Sequence, residues 1–332
     1  MKITLLPELF EPPVQHALVI ALLHYPLTDR HRVELDTSAP RVAAWLAAQA
    51  PGLREEIEIA LEESTRAEPL EPSHTEAHIV RTGPSDFESR PLRIHLDHAR
   101  QFLDGPFVIV LEDASSDRAF LQRMMTAQER QFLQRRLDSG AVRVDHGGGL
   151  GPMARRMRAA AATSERHTMW TLFDSDAMQS DAPSAPSEEL RRACAGILAE
   201  PRIPHHQLRR RYAESYLTHA ALHGWAAGVP NRARRDERPQ RFRAFAGMRD
   251  DQRYHYNMKG GFDADAERTD ATAGALYDDI ADDDRRALAG GFGRDICELF
   301  EGEAVTEHDL RRDASAWAEL RPVIHDLLAR IR

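Results

Sequence analysis

The sequence predicts an α/β fold whose core is a mostly parallel sheet flanked by helices. Two apolar runs, Phe107–Leu111 (FVIVL) and Met169–Phe173 (MWTLF), have the length and composition of strands buried on both faces. Segments with helical spacing of apolar residues stand between and after them, and such alternation favours parallel pairing through crossovers. Glycine and proline punctuate the pieces, as at Asp104–Gly105–Pro106 and Gly147–Gly151.

Residues 1–91 read as an N-terminal α/β region of unassigned role. Lys2–Leu6 and Arg32–Leu35 have strand composition, and Arg41–Ala50 and Leu53–Glu63 have helical spacing bounded by Pro40 and Pro51. The stretch Glu68–Ser89 is rich in Pro, Ser, Glu and Thr and reads as a surface loop or linker. Residues 92–263 form the central α/β domain. A helix at His95–Leu103 ends at the Asp-Gly-Pro stop; the strand Phe107–Leu111 follows, then a helix from Asp117 to Leu137 with Ser116 as its cap. A short strand at Ala141–Val144 leads through the glycine turn into a helix at Met153–Ala162. The strand Met169–Phe173 then opens onto the loop Met178–Ser187 and helices at Glu188–Ala199 and Tyr212–Trp225. Residues 264–332 read as helical, with candidates at Ala273–Leu288, Gly293–Phe300, Glu307–Ala318 and Leu320–Ile331.

Composition narrows the function classes. The chain has 332 residues, 42 % of them hydrophobic and 29 % charged, which excludes a disordered polymer. Its formal net charge of −9 opposes overall attraction to nucleic acid, so any such binding needs a local patch. Two cysteines, Cys194 and Cys297, form no disulfide framework and point to a reducing compartment. The apolar run Ala17–Leu23 is too short to span a bilayer, so a cytoplasmic location without membrane partners is expected. Only Lys2 and Lys259 are lysines among 44 Lys and Arg residues, which makes Lys259 a candidate for chemistry that arginine cannot perform.

Acids end the two best strands: Glu112 after the first, Asp174 and Asp176 after the second. Residues i and i+2 of an extended segment point the same way, so the two aspartates can aim at one spot. Packed carboxylates repel one another; a divalent cation removes that penalty, and hard oxygen ligands suit Mg²⁺ or Mn²⁺. A lone acid at a strand end is ordinarily solvated. The set on neighbouring strands points to a metal.

The order of these features resembles the Toprim fold: a strand ending in Glu, a glycine turn after the next strand, then a strand ending in Asp-x-Asp. Glu112–Leu121 (EDASSDRAFL), Gly147–Gly149, Phe173–Ala177 (FDSDA), Leu208–Leu217 (LRRRYAESYL) and Tyr254–Phe262 (YHYNMKGGF) are together similar to the stand-alone Toprim-like nucleases, related to overcoming-lysogenization-defect nucleases, of bacterial phage defence. Asp113 and Ser215 stand where the patterns often carry Gly and Asn. The resemblance covers roughly residues 92–263. It implies a Toprim-like sheet hydrolysing phosphodiester bonds of DNA or RNA with two Mg²⁺ or Mn²⁺ ions. Glu112, Asp174 and Asp176 would be metal ligands, joined by Asp117 and Glu214, with Glu112 also the general acid or base.

Two metals can clamp the attacking and leaving oxygens of a phosphodiester, and a cation can offset charge on the transition state. Lys259, followed by two glycines that permit close backbone approach, is the candidate cation. Arginines at Arg209, Arg210 and Arg211, and at Arg232, Arg234, Arg235, Arg238, Arg241 and Arg243 near Phe242, Phe245, Tyr254 and Tyr256, are candidates for gripping nucleic acid. No Walker motif is present, so an ATPase or sensor subunit, if required, acts in trans; residues 1–91 and 264–332 are candidates for docking such a partner or forming a homo-oligomer. Two alternatives stand beside this expectation. A haloacid-dehalogenase-type phosphatase would use Asp174 as nucleophile, Asp176 as acid and Lys259 as phosphate holder. A Toprim-like module without catalysis would bind nucleic acid or a partner alone.

Overall fold

The computed structural model describes residues 1–28, 30–67, 74–195, 202–228, 237–268 and 275–331. The fold is α/β, as expected: two four-stranded sheets, every strand pair parallel, with helices around them and a helical C-terminal region. This architecture is consistent with the Toprim-like fold. No helix among the described residues is long and apolar enough to cross a membrane.

The first sheet holds β1 (Lys2–Leu5), β2 (Arg32–Leu35), β3 (Glu76–Val80) and β4 (Leu92–His95), in the order β2-β1-β3-β4. Helices α1 (His16–Leu23), α2 (Pro40–Ala47), α3 (Pro51–Ala67) and α4 (Leu96–Leu103) contribute to this region. Two of its strands differ from expectation. β3 lies within the stretch read as a linker, and β4 was joined to the central domain. Both are short; β3 fills its hydrogen bonds against β1, and Ala77, Ile79, Leu92 and Ile94 complete the same core. The join between the two sheets therefore falls at Asp104–Pro106, after α4, and not at residue 92.

The second sheet has β5 (Phe107–Leu111), β6 (Val142–His146), β7 (Met169–Phe173) and β8 (His205–Gln207), in the order β6-β5-β7-β8. Side chains alternate across it. Val108, Val110, Met169 and Phe173 meet α7 (Leu150–Ala161) and α8 (Ala185–Cys194) on one face. Ile109, Leu111, Trp170 and Leu172 meet α5 (Ser116–Arg123) and α6 (Ala127–Asp138) on the other. The single helix expected over Asp117–Leu137 breaks at Met124–Thr126. Thr126 accepts the Glu129 amide and the Glu129 carboxylate returns to the Thr126 amide, a capping box that starts a new helix.

Beyond β8, a 3₁₀ turn at Ala213–Tyr216 and α9 (His219–Ala227), capped by Thr218, replace the continuous helix expected there. Then come α10 (Glu237–Gly247), α11 (Asp250–His255), α12 (Gly261–Ala266), α13 (Asp282–Leu288), α14 (Glu307–Arg312) and α15 (Ala314–Ile331). The described part of residues 264–332 packs against the second sheet. Leu288, Phe292, Phe300, Leu320 and Leu327 share one buried core with Ile109, Trp170 and Tyr216, so this region's apolar face already covers the second sheet. That cover is what brings its loops to the site.

Candidate metal centre

Going along the chain, the path leaves β5 to one side for β6, then crosses back to β7 on the other side. Such a switch leaves a crevice at the carboxyl ends of β5 and β7, the usual ligand position in an open parallel sheet. Glu112 follows β5 directly, and Asp174 follows β7.

The turn after β5 is locally specified. Asp113 accepts the amides of Ser115 (2.8 Å) and Ser116 (3.2 Å), so its carboxylate, and not Ser116, launches α5. Asp117 in the first turn accepts the Asp113 amide at 2.8 Å. The glycine turn after β6 closes over the same strand end. The Gly147 amide donates to the Leu111 carbonyl at 2.7 Å, and a Cβ at Gly147 would strike Met153 and that carbonyl.

The Asp174–Ser175–Asp176 loop is sewn to the segment after β8. Ser175 Oγ donates to the Arg210 carbonyl (2.9 Å), the Asp176 amide to the Arg211 carbonyl (3.0 Å), and the Ala213 amide to Asp174 Oδ1 (3.0 Å). Asp176 has a φ of 52°, left-handed backbone, so alternation along an extended strand is not what aims it. An L-residue held there typically costs about 1–3 kcal/mol, and such strain collects at functional sites. The same seam presents Glu214, 1 % exposed, from its 3₁₀ turn.

Five carboxylates thus come near enough to feel one another's charge: Glu112, Asp117, Asp174, Asp176 and Glu214. Burial, then Asp176 and Asp117, raise the Glu112 carboxyl to about 7. Burial, partly offset by the Asp113 amide, raises Asp117 to about 6. Burial followed by its four acidic neighbours holds Asp174 well above the usual range. Glu112 Oε2 and Glu214 Oε2 are buried and accept no hydrogen bond among the described residues. Buried acceptors without a donor are costly, and a cation would satisfy them. These oxygen donors therefore fit a hard divalent ion. Among the described residues, no three His, Cys, Asp or Glu side chains already stand close enough to hold a metal together. The acids share a basin without forming a closed cage.

Lys259 reaches into this basin, its Nζ 2.9 Å from Glu214 Oε1. Burial alone would lower its ammonium; Glu214 and then Asp174 hold it above its ordinary value, so it stays charged. Its two following glycines are explained differently from expectation. A Cβ on Gly260 would collide with Ala264, and one on Gly261 (φ 62°) with the carbonyls of Leu288 and Ala289. They admit the C-terminal segment, which is pinned there by the Phe292 amide on the Met258 carbonyl (2.7 Å), and not a phosphate.

The arginine expectations are corrected in part. Arg210 and Arg211 are 5 % and 0 % exposed. Arg211 is held by Asp265 (2.7 and 2.6 Å), and Arg210 by Asp313 (2.6 Å) between the rings of Tyr216 and Tyr254. Buried, paired guanidiniums cannot grip a backbone; these two brace the seam beneath Asp174. Arg209 is exposed. Arg232, Arg234 and Arg235 lie outside the described residues. Arg238 stacks on Trp225 and Arg241 donates to the Ala287 carbonyl, leaving Arg243 the exposed member of the strip on α10.

Two neighbours of the basin carried no sequence signal. Tyr212 lies within the field of Asp176 and Asp174, and Cys297 within that of Glu214 and Lys259. Only the packing of the C-terminal region places Cys297 there.

A carboxyl with a raised folded pKa is protonated in both states at low pH and adds no penalty there. As pH rises past the unfolded value of about 4, the folded state increasingly resists ionisation, and the penalty is complete only above the raised folded value. Asp174→Asn should therefore stabilise the protein in EDTA, by a margin that widens as pH rises above the usual carboxylate range. Urea midpoints of variant and wild type measure this; a margin that stays flat or narrows would show that Asp174 carries no raised pKa.

Comparison with family models, with curated proteins and with solved structures finds no match, so the site's assignment rests on its own residues.

Proposed function

We propose that the chain is a Mg²⁺- or Mn²⁺-dependent nuclease that hydrolyses phosphodiester bonds of DNA or RNA, with phage defence as the setting its resemblance implies. The observation that carries this reading is the crevice itself. Five acids share the field of one persistently charged lysine at the switch point of a parallel sheet, and two buried carboxylate oxygens lack a donor among the described residues. Glu112, Asp174 and Asp176 would hold one divalent ion, and Asp117 and Glu214 would complete a second site. Ions held there would neutralise the acids and supply Lewis-acid activation of a phosphodiester and of water. Lys259 keeps a positive charge beside Glu214 and Asp174, where negative charge on a phosphate would otherwise be opposed by the acids. The Arg210 and Arg211 pairs keep the Asp-Ser-Asp loop in register. Plasmid, single-stranded DNA and total RNA incubated with the protein in Mn²⁺ should show cleavage of at least one, and none in excess EDTA. A folded protein that cleaves none of them in Mn²⁺ would sink the proposal.

The path of the substrate backbone is supported by a cleft lined by Ala114 and Ser115, on the turn that follows Glu112, and by Arg118, Arg123 and Arg130. Arg123 is engaged by the carbonyls of Phe300 and Glu301, whereas Arg118 makes one long hydrogen bond, 3.5 Å to Gln134. Arg118→Ala should reduce the salt dependence of nucleic-acid binding by about one unit of log–log slope, as should loss of any one phosphate contact. The paired change Arg241→Ala with Arg243→Ala reports on α10 in the same titration. An unchanged slope in either case removes that surface from the interface.

A further inference from the structure

A cavity of about 60 Å³ lies far from the carboxylates and has a different chemistry. Its position follows from the topology. His31 and His74 stand just before β2 and β3; Phe107 opens β5, Ala141 precedes β6 and Thr168 precedes β7. The amino ends of both sheets therefore face one another across it. The acids sit at the opposite ends of β5 and β7, roughly 16 Å away at about 3.3 Å per residue of strand.

The polar lining brings three arginines, Arg30, Arg136 and Arg330, together with His31, His74 and His167 and the hydroxyls of Thr75 and Thr168. No Asp or Glu is among the described residues that line it. The carboxylates that steady some of these groups lie outside the lining. Arg330 and His74 meet Asp326 (2.9 and 3.1 Å), and Arg30 donates to the Asp104 carbonyl (2.7 Å). Arg136 is 5 % exposed, so a guanidinium is buried at this junction.

One group in the cavity asks for the opposite partner. His31 Nε2 lies 2.8 Å from the Leu103 carbonyl, which can only accept, so Nε2 carries the proton. Nδ1 then presents a lone pair, and it is buried with no hydrogen-bond partner among the described residues. Burial first, and nearby positive charges including Arg30 and Arg136, keep this imidazole neutral by holding its pKa down to about 3. The cavity thus offers guanidinium donors together with the buried acceptor of His31.

We propose that this cavity binds hydrogen phosphate, a tetrahedral oxyanion that matches guanidinium donors and also carries an O–H to give to His31 Nδ1. A volume of about 60 Å³ exceeds what a single water needs, about 10–15 Å³ on such a measure, and suits one small oxyanion but not a nucleoside. Guanidinium groups pair with phosphate in strong, directional charge-assisted bonds. Sulfate has the same shape but no proton at neutral pH, so it leaves Nδ1 unsatisfied. The bound ion would bridge the two sheets, and its presence does not depend on whether the carboxylate basin is a nuclease site.

Calorimetric titration and thermal melts of the full chain at neutral pH, in sodium phosphate, sulfate and chloride of matched ionic strength, test this. Saturable phosphate binding with a raised melting temperature is expected, with sulfate at least tenfold weaker. Arg136→Gln should weaken phosphate binding at least tenfold. Should that variant fail to fold, Arg330→Gln, at the rim, should produce a loss in the same direction. Equal stabilisation by sulfate, no binding beyond chloride, or phosphate binding unchanged in the folded variants would each overturn the assignment.

Discussion

Asp174→Asn and Asp176→Ala are each expected to reduce Mn²⁺-dependent cleavage to background while the fold stays intact. Asparagine at 174 keeps an acceptor for the Ala213 amide, so the seam to the segment after β8 survives while the charge is lost. At position 176 the fixed feature is the backbone, whose amide bonds to the Arg211 carbonyl whatever the side chain. Alanine tolerates a left-handed φ less well than aspartate, which costs some stability; relief of repulsion among the remaining acids offsets part of it. Melting curves in EDTA and cleavage rates in Mn²⁺ separate the two effects. Wild-type rates from either variant, or full activity of the native protein in excess EDTA, would remove the carboxylates from the chemistry.

Lys259→Arg should lower turnover by about 10²–10³-fold, the usual cost of losing one transition-state contact. The substitution retains a positive charge toward Glu214 but replaces a compact ammonium with a wider, differently directed fork. Lys259→Ala should do the same to turnover and also destabilise the protein. Stranding a partner of a fully buried ion pair costs about 3–5 kcal/mol; Lys259 is 42 % exposed, so solvent screening reduces that figure. Added Mg²⁺ should return part of the alanine variant's stability, since Glu214 would regain a cation. Native turnover in the arginine variant would mean that Lys259 only balances Glu214.

The long elements were legible because their signals are local. Phe107–Leu111 and Met169–Phe173 are continuous apolar runs buried on both faces, and both strands have the bounds their composition predicts. β3, β4 and β8 were missed because they are short and mixed in polarity. They are strands by virtue of the neighbours that complete their ladders, and no residue within them announces a partner. The same limit applied to helix breaks: the Thr126–Glu129 box was present in the sequence, but a longer apolar periodicity ran through it.

By itself, the sequence determined the fold class, the two strand ends bearing Glu112 and Asp174, and the rarity of lysine that singled out Lys259. Tertiary structure alone decided which charges meet. Asp265 and Asp313 stand 54 and 103 residues from the arginines they neutralise, so Arg210 and Arg211 looked like a phosphate grip and proved to be internal braces. Cys297 and the clamp on Gly261 likewise come from the C-terminal region, which folds over the second sheet. The physical reason is range: propensity and periodicity are written within about ten residues, whereas charge pairing and burial depend on whichever distant segments the core draws together.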